Sequence, residues 1–265
     1  MMGERPLYEL TPVSSQRRPR LRGTVVQRPS GDALIDALLA DLFLHAGNCV
    51  REFGDFHLLL DADPAVEPVL RRLMYDLPYR EMPWGRTRLW LAGERRVPAD
   101  DPRRAWTIAY DLVVTQSGIP EEQAHAIDPD APEGYDALLR EHLGWRPKGQ
   151  DRPDFALLVL RSDGGVGALR AGACTARGDF CQEVCPPDEP AIVGVGASLL
   201  NAARFVAVYG VGEEGRAGLE ALERAMATPR AQRPALGGLA LAPAGGELRW
   251  YLDPACCLPA PGGTP

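Results

Sequence analysis

Four acidic residues follow closely on apolar runs. Asp61 and Asp63 come after the run 56–60, Glu94 comes shortly after Leu91, and Asp163 comes after the run 155–160. Carboxylates gathered at strand ends can act as general acid and base when their surroundings push one pKa towards neutrality. Arg95, beside Glu94, is a candidate anion contact; pairing with Glu94 or another nearby carboxylate is its alternative role. Asp163 leads into Gly164, Gly165, Gly167 and Gly172, and the amides of such a glycine-rich turn can cradle an anion. Asp61 and Asp63 also have a plainer reading, as N-caps of a helix over 65–76 that carries Val66, Val69, Leu70 and Leu73.

The elements that must position these residues are legible as alternating strands and helices. The unbroken apolar run 155–160 suits a strand buried on both faces, as in the middle of a parallel sheet. Further strands are expected at 23–27, 56–60, 84–91, 125–127, 191–196 and 204–210. Helices are expected from Ser30 to about Gly47-Asn48, over 65–76, 106–114 and 133–143, and through Leu219, Leu222 and Met226. This alternation predicts a doubly wound, mostly parallel α/β sheet with helices on both faces, whose ligand site lies on loops leaving the carboxyl ends of strands. The expected organisation is a flexible arm over 1–22, a single domain over 23–257 and a frayed tail over 258–265. The segment 174–190, with three cysteines, reads as irregular.

Composition narrows the function. The 265 residues, 45% of them hydrophobic, suffice for one large domain. A net charge of −7 argues against general nucleic-acid binding; the basic run Arg17-Arg18-Pro19-Arg20-Leu21-Arg22 reads as a solvated tail or a contact for an acidic partner. No apolar run approaches the roughly 20 residues of a membrane span, and the first residues lack the apolar core of a signal peptide. A cytoplasmic protein without a membrane partner is expected. The six cysteines are read as ordinary thiols, because a chain of this size without an export signal seldom carries a disulfide framework. Cys181 and Cys185 have the spacing of one helical face, but no second pair completes a zinc site. No cofactor is implied, since Gly194-Val195-Gly196 lacks the rest of a dinucleotide fingerprint.

Several segments together resemble the 6-phosphogluconolactonases and the related sugar-phosphate isomerases. The stretch 155–172 resembles the signature Leu-Leu-Gly-x-Gly-x-Asp-Gly-His-Thr-Ala-Ser-Leu-Phe-Pro-Gly, with Asp163, Gly164, Leu169 and Gly172 in register. Glu94, Arg95, Val97 and Pro98 resemble the segment Gly-Asp-Glu-Arg-x-Val-Pro. Leu200, Asn201 and Ala203 resemble the block Leu-Asn-x-Ala, and Trp250, Asp253 and Ala255 the ending Trp-x-x-Asp-x-Ala. The resemblance covers residues 23–257 and implies the fold shared by the lactonases, glucosamine-6-phosphate isomerases and CoA-transferases. It also implies a substrate-contacting role for Asp61, Asp63, Glu94, Arg95, Gly164, Asn201 and Arg216, with Asp163 at the catalytic loop.

The same resemblance shows what has changed. The histidine that acts as the family's general base falls on Gly165, and its first two loop glycines fall on Val159 and Arg161. The phosphate loop Ser-Gly-Gly-Ser-Thr-Pro falls on Asp61-Ala62-Asp63-Pro64-Ala65-Val66, so two like charges stand where a dianion docks. Such charges repel by several kcal/mol at an effective dielectric of about 20. The family's lysine has no counterpart in register, and Arg216 stands about two residues away. Losing a general base costs about 10²–10⁴-fold, and losing the phosphate clamp removes positioning as well. The leading expectation is therefore a catalytically impaired relative with a binding or assembly role. Its ligand would be a sugar or sugar phosphate, and its partner a pentose-phosphate enzyme. The alternatives are a hydrolase acting through the surviving carboxylates on another substrate, and a conventional lactonase with rearranged residues.

Overall fold

The computed structural model describes residues 17–257. Of the arm expected over 1–22, residues 1–16 lie outside the described residues, as does the tail 258–265. Within the described part, Arg17 pairs with Glu223 and Arg18 donates to the carbonyl of Val25 at 2.7 Å.

Strand β1 (Thr24–Gln27) leads into α1 (Gly31–Phe53), capped by the Ser30 hydroxyl, which accepts from the amide of Ala33 at 3.2 Å. The expected stop at Gly47-Asn48 is passed over: both lie inside α1, which runs on to Gly54 at φ +89°. Only glycine takes that left-handed conformation cheaply. At 23 residues, with an 18-residue window of mean hydropathy 1.4, α1 is long and apolar enough by length and composition to cross a membrane, which corrects the expectation of no such run. Here Leu34, Ile35, Leu38, Leu39, Leu42, Ala46 and Cys49 are buried in the core, the stripe of an amphipathic core helix.

Strand β2 (Phe56–Leu60) follows, then a single 3₁₀ turn and α2 (Glu67–Tyr75), then β3 (Thr87–Leu91) and β4 (Gly93–Arg95). The expected helix over 106–114 is longer: α3 (Ala105–Ala109) passes through a π-helical turn, Tyr110–Val114, into α4 (Thr115–Ser117). Next come β5 (Ala124–His125), α5 (Pro132–Gly144) and β6 (Phe155–Val159). The segment expected to be irregular forms a hairpin, β7 (Ala173–Ala176) and β8 (Cys181–Cys185), and β9 (Ile192–Val195) pairs with it. Asp136 of α5 holds the start of β8 by accepting the amides of Phe180 and Cys181 at 2.7 and 3.0 Å. This long-range contact has no local sequence signal. The chain ends with α6 (Ala197–Ala202), β10 (Phe205–Gly210), α7 (Gly212–Ala227), α8 (Gly237–Ala240) and β11 (Glu247–Leu252).

Seven strands form a parallel sheet in the order β1-β11-β10-β6-β2-β3-β5, and β4-β9-β8-β7 form an antiparallel sheet. The central strands are buried along their whole length, as their unbroken apolar runs predict. From β2 the chain winds outward through β3 to β5, and from β6 it winds the other way through β10 to β11. The order therefore reverses between β2 and β6, and the loops leaving those two strands diverge around a crevice.

The opposite ends of these strands are clamped by charge. Asp154 is fully buried, accepts from Arg146 at 2.7 and 2.8 Å and from Arg204 at 3.1 Å, and takes the amide of His57 at 2.8 Å. Arg146 also reaches Asp55 at 2.7 Å. Removing one member of such a network strands the others without counter-charge, which costs about 3–5 kcal/mol. Asp154→Ala is accordingly expected to lower the unfolding free energy read from a urea titration by that amount with an unchanged m value, whereas Arg71→Ala, in an exposed helix pair with Glu67, should lower it by less than about 1 kcal/mol.

Candidate functional site

At the β2/β6 crevice the structure brings together Asp61, Asp63, Arg95 and Arg161. Asp61 closes β2: its amide donates to the carbonyl of Leu157 at 2.8 Å, and its carboxylate accepts the amides of Val159 and Gly167 at 3.0 and 3.1 Å. Its other oxygen takes an Arg161 nitrogen at 3.1 Å. Asp63 caps the 3₁₀ turn Pro64–Val66 by accepting the amide of Ala65 at 2.9 Å, pairs with Arg161, and lies 3.5 Å from Arg95. The N-cap reading of Asp63 is therefore observed. Asp61 instead receives amides from the facing loop.

Arg161 resolves the repulsion anticipated between the two carboxylates. It is buried, forks one nitrogen to each aspartate, and leaves its Nε without a hydrogen-bond partner. Burial opposes its charge, but Asp61 and Asp63 outweigh burial and raise its pKa. Burial likewise pushes the Asp63 carboxyl up, and Arg161, the Ala65 amide and Arg95 hold it below its ordinary value. Sequence reasoning counted Arg161 only as a lost glycine. The available signal was complementarity, one base gained where two acids were gained.

The other carboxylates are also engaged. Glu94, 1% exposed, accepts the amides of Arg95, Ala105 and Trp106, each at 2.9 Å, and so seats the first turn of α3. Arg95 donates to the carbonyl of Arg103 at 3.0 Å. Asp163 accepts the amide of Gly165 at 2.8 Å and the Nε of Arg170 at 2.8 Å, and Arg170 continues to Glu189 at 2.8 Å. Gly164 has φ +78°, and a Cβ there would sit 3.2 Å from the side chains of Leu222 and Leu236. A Cβ on Gly165 would sit 2.5 Å from the Cδ of Arg170 and 2.8 Å from an Asp163 oxygen. A side chain enters there only if Arg170 swings away.

Two further candidates are committed elsewhere. Asn201 donates to the carbonyl of Ala240 at 2.9 Å and accepts the amide of Ala242 at 2.7 Å. Arg216 donates through Nε to the carbonyl of Ala255 at 2.8 Å. The histidines lie away from the crevice. His57 is buried near the start of β2, bonded to Asp55 at 3.0 Å and accepting from Trp90 at 3.2 Å. His125 stacks on Trp90 with centroids 3.9 Å apart, and burial lowers its pKa to about 3.

The space left among these side chains is small. The cleft lined by Asp61, Arg95, Arg161, Gly167 and Arg170 has a volume of about 10 Å³, room for about one water. Three arginines and one aspartate line it, and each guanidinium is already engaged by the protein's own carboxylates: Arg161 by Asp61 and Asp63, Arg95 by Asp63, and Arg170 by Asp163 and Glu189.

A doubly wound α/β chain with a loop cleft at its switch point belongs to the broad class of open-sheet α/β proteins, and the comparisons specify the family. Residues 29–250 match the model of the glucosamine-6-phosphate isomerases/6-phosphogluconolactonase family. The chain belongs to that family. It is 26% identical over 248 residues to the human GDH/6PGL endoplasmic bifunctional protein, covering 89% of this chain but only 30% of that relative. The solved structure of 6-phosphogluconolactonase from Trypanosoma brucei superposes with a TM-score of 0.70 at 18% identity, over 89% of this chain and 98% of that one. The Trypanosoma cruzi 6-phosphogluconolactonase gives 0.71 at 18% identity, over 89% and 96%. At these identities the two structures establish a shared fold.

The sign of the pH dependence follows from Asp63. Its folded pKa lies below the ordinary 3.8, so its stabilisation is complete above that value and is lost as pH falls through the lower folded value. Arg161→Ala is expected to cost about 3–5 kcal/mol at neutral pH by leaving two uncompensated carboxylates, and to flatten acid unfolding below pH 3.8. Adding Asp61→Ser and Asp63→Gly should recover most of that loss. Urea titrations of the natural chain, Arg161→Ala, Asp61→Ser/Asp63→Gly and the combined variant test this, and strict additivity would exclude the coupling.

Proposed function

We propose that this chain is a 6-phosphogluconolactonase-like protein that does not hydrolyse 6-phosphogluconolactone and acts in binding or assembly around sugar-phosphate metabolism. The observation that carries this reading is the cleft at the β2/β6 switch point. Two of the chain's own carboxylates and one guanidinium occupy the place where the family resemblance implies a phosphate loop. They leave about 10 Å³, against the several hundred Å³ typical of small-molecule sites. Gly165 stands at the position of the family's base, and Arg170 fills the space beside it. The name of the human relative describes a bifunctional protein of which this chain spans 30%. That supports a partner in the same metabolism as the object of assembly.

The alternative, a hydrolase working through surviving carboxylates, needs one carboxyl raised towards neutrality. Asp63 is shifted the other way, and Asp61, Glu94 and Asp163 spend their oxygens on backbone amides, with arginine as a further partner for Asp61 and Asp163. This pattern favours the non-catalytic reading.

The test is hydrolysis of 6-phosphogluconolactone, followed by proton release against spontaneous opening. The natural chain is expected at background. The variant Asp61→Ser/Asp63→Gly/Arg161→Gly/Gly165→His/Arg170→Ala, which reopens the loop, clears the space beside residue 165 and restores a base, is expected to exceed background by at least about tenfold, the lower part of a general base's worth. Turnover above background in the natural chain that Asp163→Asn abolishes would overturn the proposal.

A further inference from the structure

Next to the closed cleft lies an open pocket of about 460 Å³, walled by Leu169, Leu236 and Leu239 and by the arginines Arg170, Arg230 and Arg233. This volume falls within the range of small-molecule sites. The two pockets share Arg170, whose guanidinium is held by Asp163 and Glu189. Arg230 and Arg233 differ from it. Both are exposed, and Arg233 donates to the carbonyls of Met226 and Thr228 at 3.1 and 3.5 Å. Among the described residues neither has a carboxylate partner. The positive field continues past the last turn of α7, where Arg17, Arg20 and Arg224 line a second cavity, with Glu223 the acid among them. In a chain of net charge −7, this local excess of uncompensated guanidinium focuses potential of one sign over an apolar wall.

We propose that this pocket binds a small organic anion, a carboxylate or phosphate monoester carried on an apolar body. Arg230 and Arg233 take the anionic group, because the guanidinium fork matches carboxylate and phosphate oxygens in bidentate fashion. The three leucines cover the apolar part. Gln182 donates to the carbonyl of Ala168 at 2.8 Å and so fixes the hairpin wall. The proposal is independent of whether the neighbouring cleft is catalytic, since it uses none of Asp61, Asp63 and Arg161.

The pocket carries its own reporter. Cys174 lies in its lining and is exposed, Cys185 is the other exposed thiol among the described residues, and the remaining four are buried. In a Cys185→Ser background, Cys174 is alkylated with iodoacetate, an anion, and with iodoacetamide, its neutral analogue. The iodoacetate-to-iodoacetamide rate ratio is expected to exceed that of 2-mercaptoethanol by about tenfold at low salt, and to fall as salt is added. Arg230→Gln/Arg233→Gln should bring the ratio to within about twofold of the free thiol while leaving unchanged the iodoacetamide rate per thiolate, taken from the high-pH plateau of its pH profile, which also reports that the hairpin is intact. 1-Naphthyl phosphate should protect Cys174 saturably, and 1-naphthol should do so at least about tenfold more weakly, as the loss of a charge-assisted pair requires. A rate ratio indifferent to the two arginines overturns the proposal. So does equal protection by the phosphate and the alcohol, or no saturable protection by either.

Discussion

A guanidinium withdrawn from water must find opposite charge, and in this protein Arg161 finds it across the reversal point of the sheet. Its two ion pairs run to Asp61 and Asp63, which leave the neighbouring strand β2 in the opposite winding direction. Each aspartate in turn accepts backbone amides, Asp61 from Val159 and Gly167 and Asp63 from Ala65. The two loops that would otherwise open around a ligand are thus tied to one another. Buried ion pairs contribute little net stability against an apolar substitute. What this one dictates is where the loops lie, and with them the volume of the cleft.

The same economy governs the rest of the crevice. A carboxylate that works as acid or base must keep a lone pair or a proton available and hold its pKa near the working pH. Here Glu94 gives both oxygens to the first amides of α3, and Asp163 divides its two between Gly165 and Arg170. The acids are therefore structural ligands of the backbone, and Arg170 links that arrangement outward to Glu189 on the rim of the small sheet.

Local patterns carried most of the fold. Unbroken apolar runs marked β2, β6 and β10 because strands covered on both faces have no polar side to show. The stripe of α1 was clear, but its end was misplaced: an Asn and a Gly inside a long amphipathic helix are tolerated when the buried side continues through Cys49. The hairpin β7–β8 was missed because its pairing and its anchor on Asp136 are long-range. In the crevice, positions 61, 63, 94 and 163 were marked by the family resemblance and by their placement after apolar runs. Their partners were harder. Arg161 and Arg170 are defined by what lies across the crevice, and a single chain shows only one side of that relation at a time.

The arginines finally explain how the two loops leaving the switch point are held together. Lys148 is the one lysine among 29 basic residues, and it takes no part in the buried clusters. Buried cation sites favour arginine, which is less strongly hydrated than lysine and offers a planar fork. Arg146 secures the amino ends of β2 and β6 through Asp55 and Asp154, and Arg161 secures their carboxyl ends through Asp61 and Asp63. The central pair of strands is pinned by charge at both ends. Movement of the loops to admit a ligand would have to break a desolvated pair, whereas the wall beside Arg230 and Arg233 can be occupied without disturbing either clamp. Binding chemistry on this scaffold is therefore expected at the rim, where the guanidiniums are still unspent.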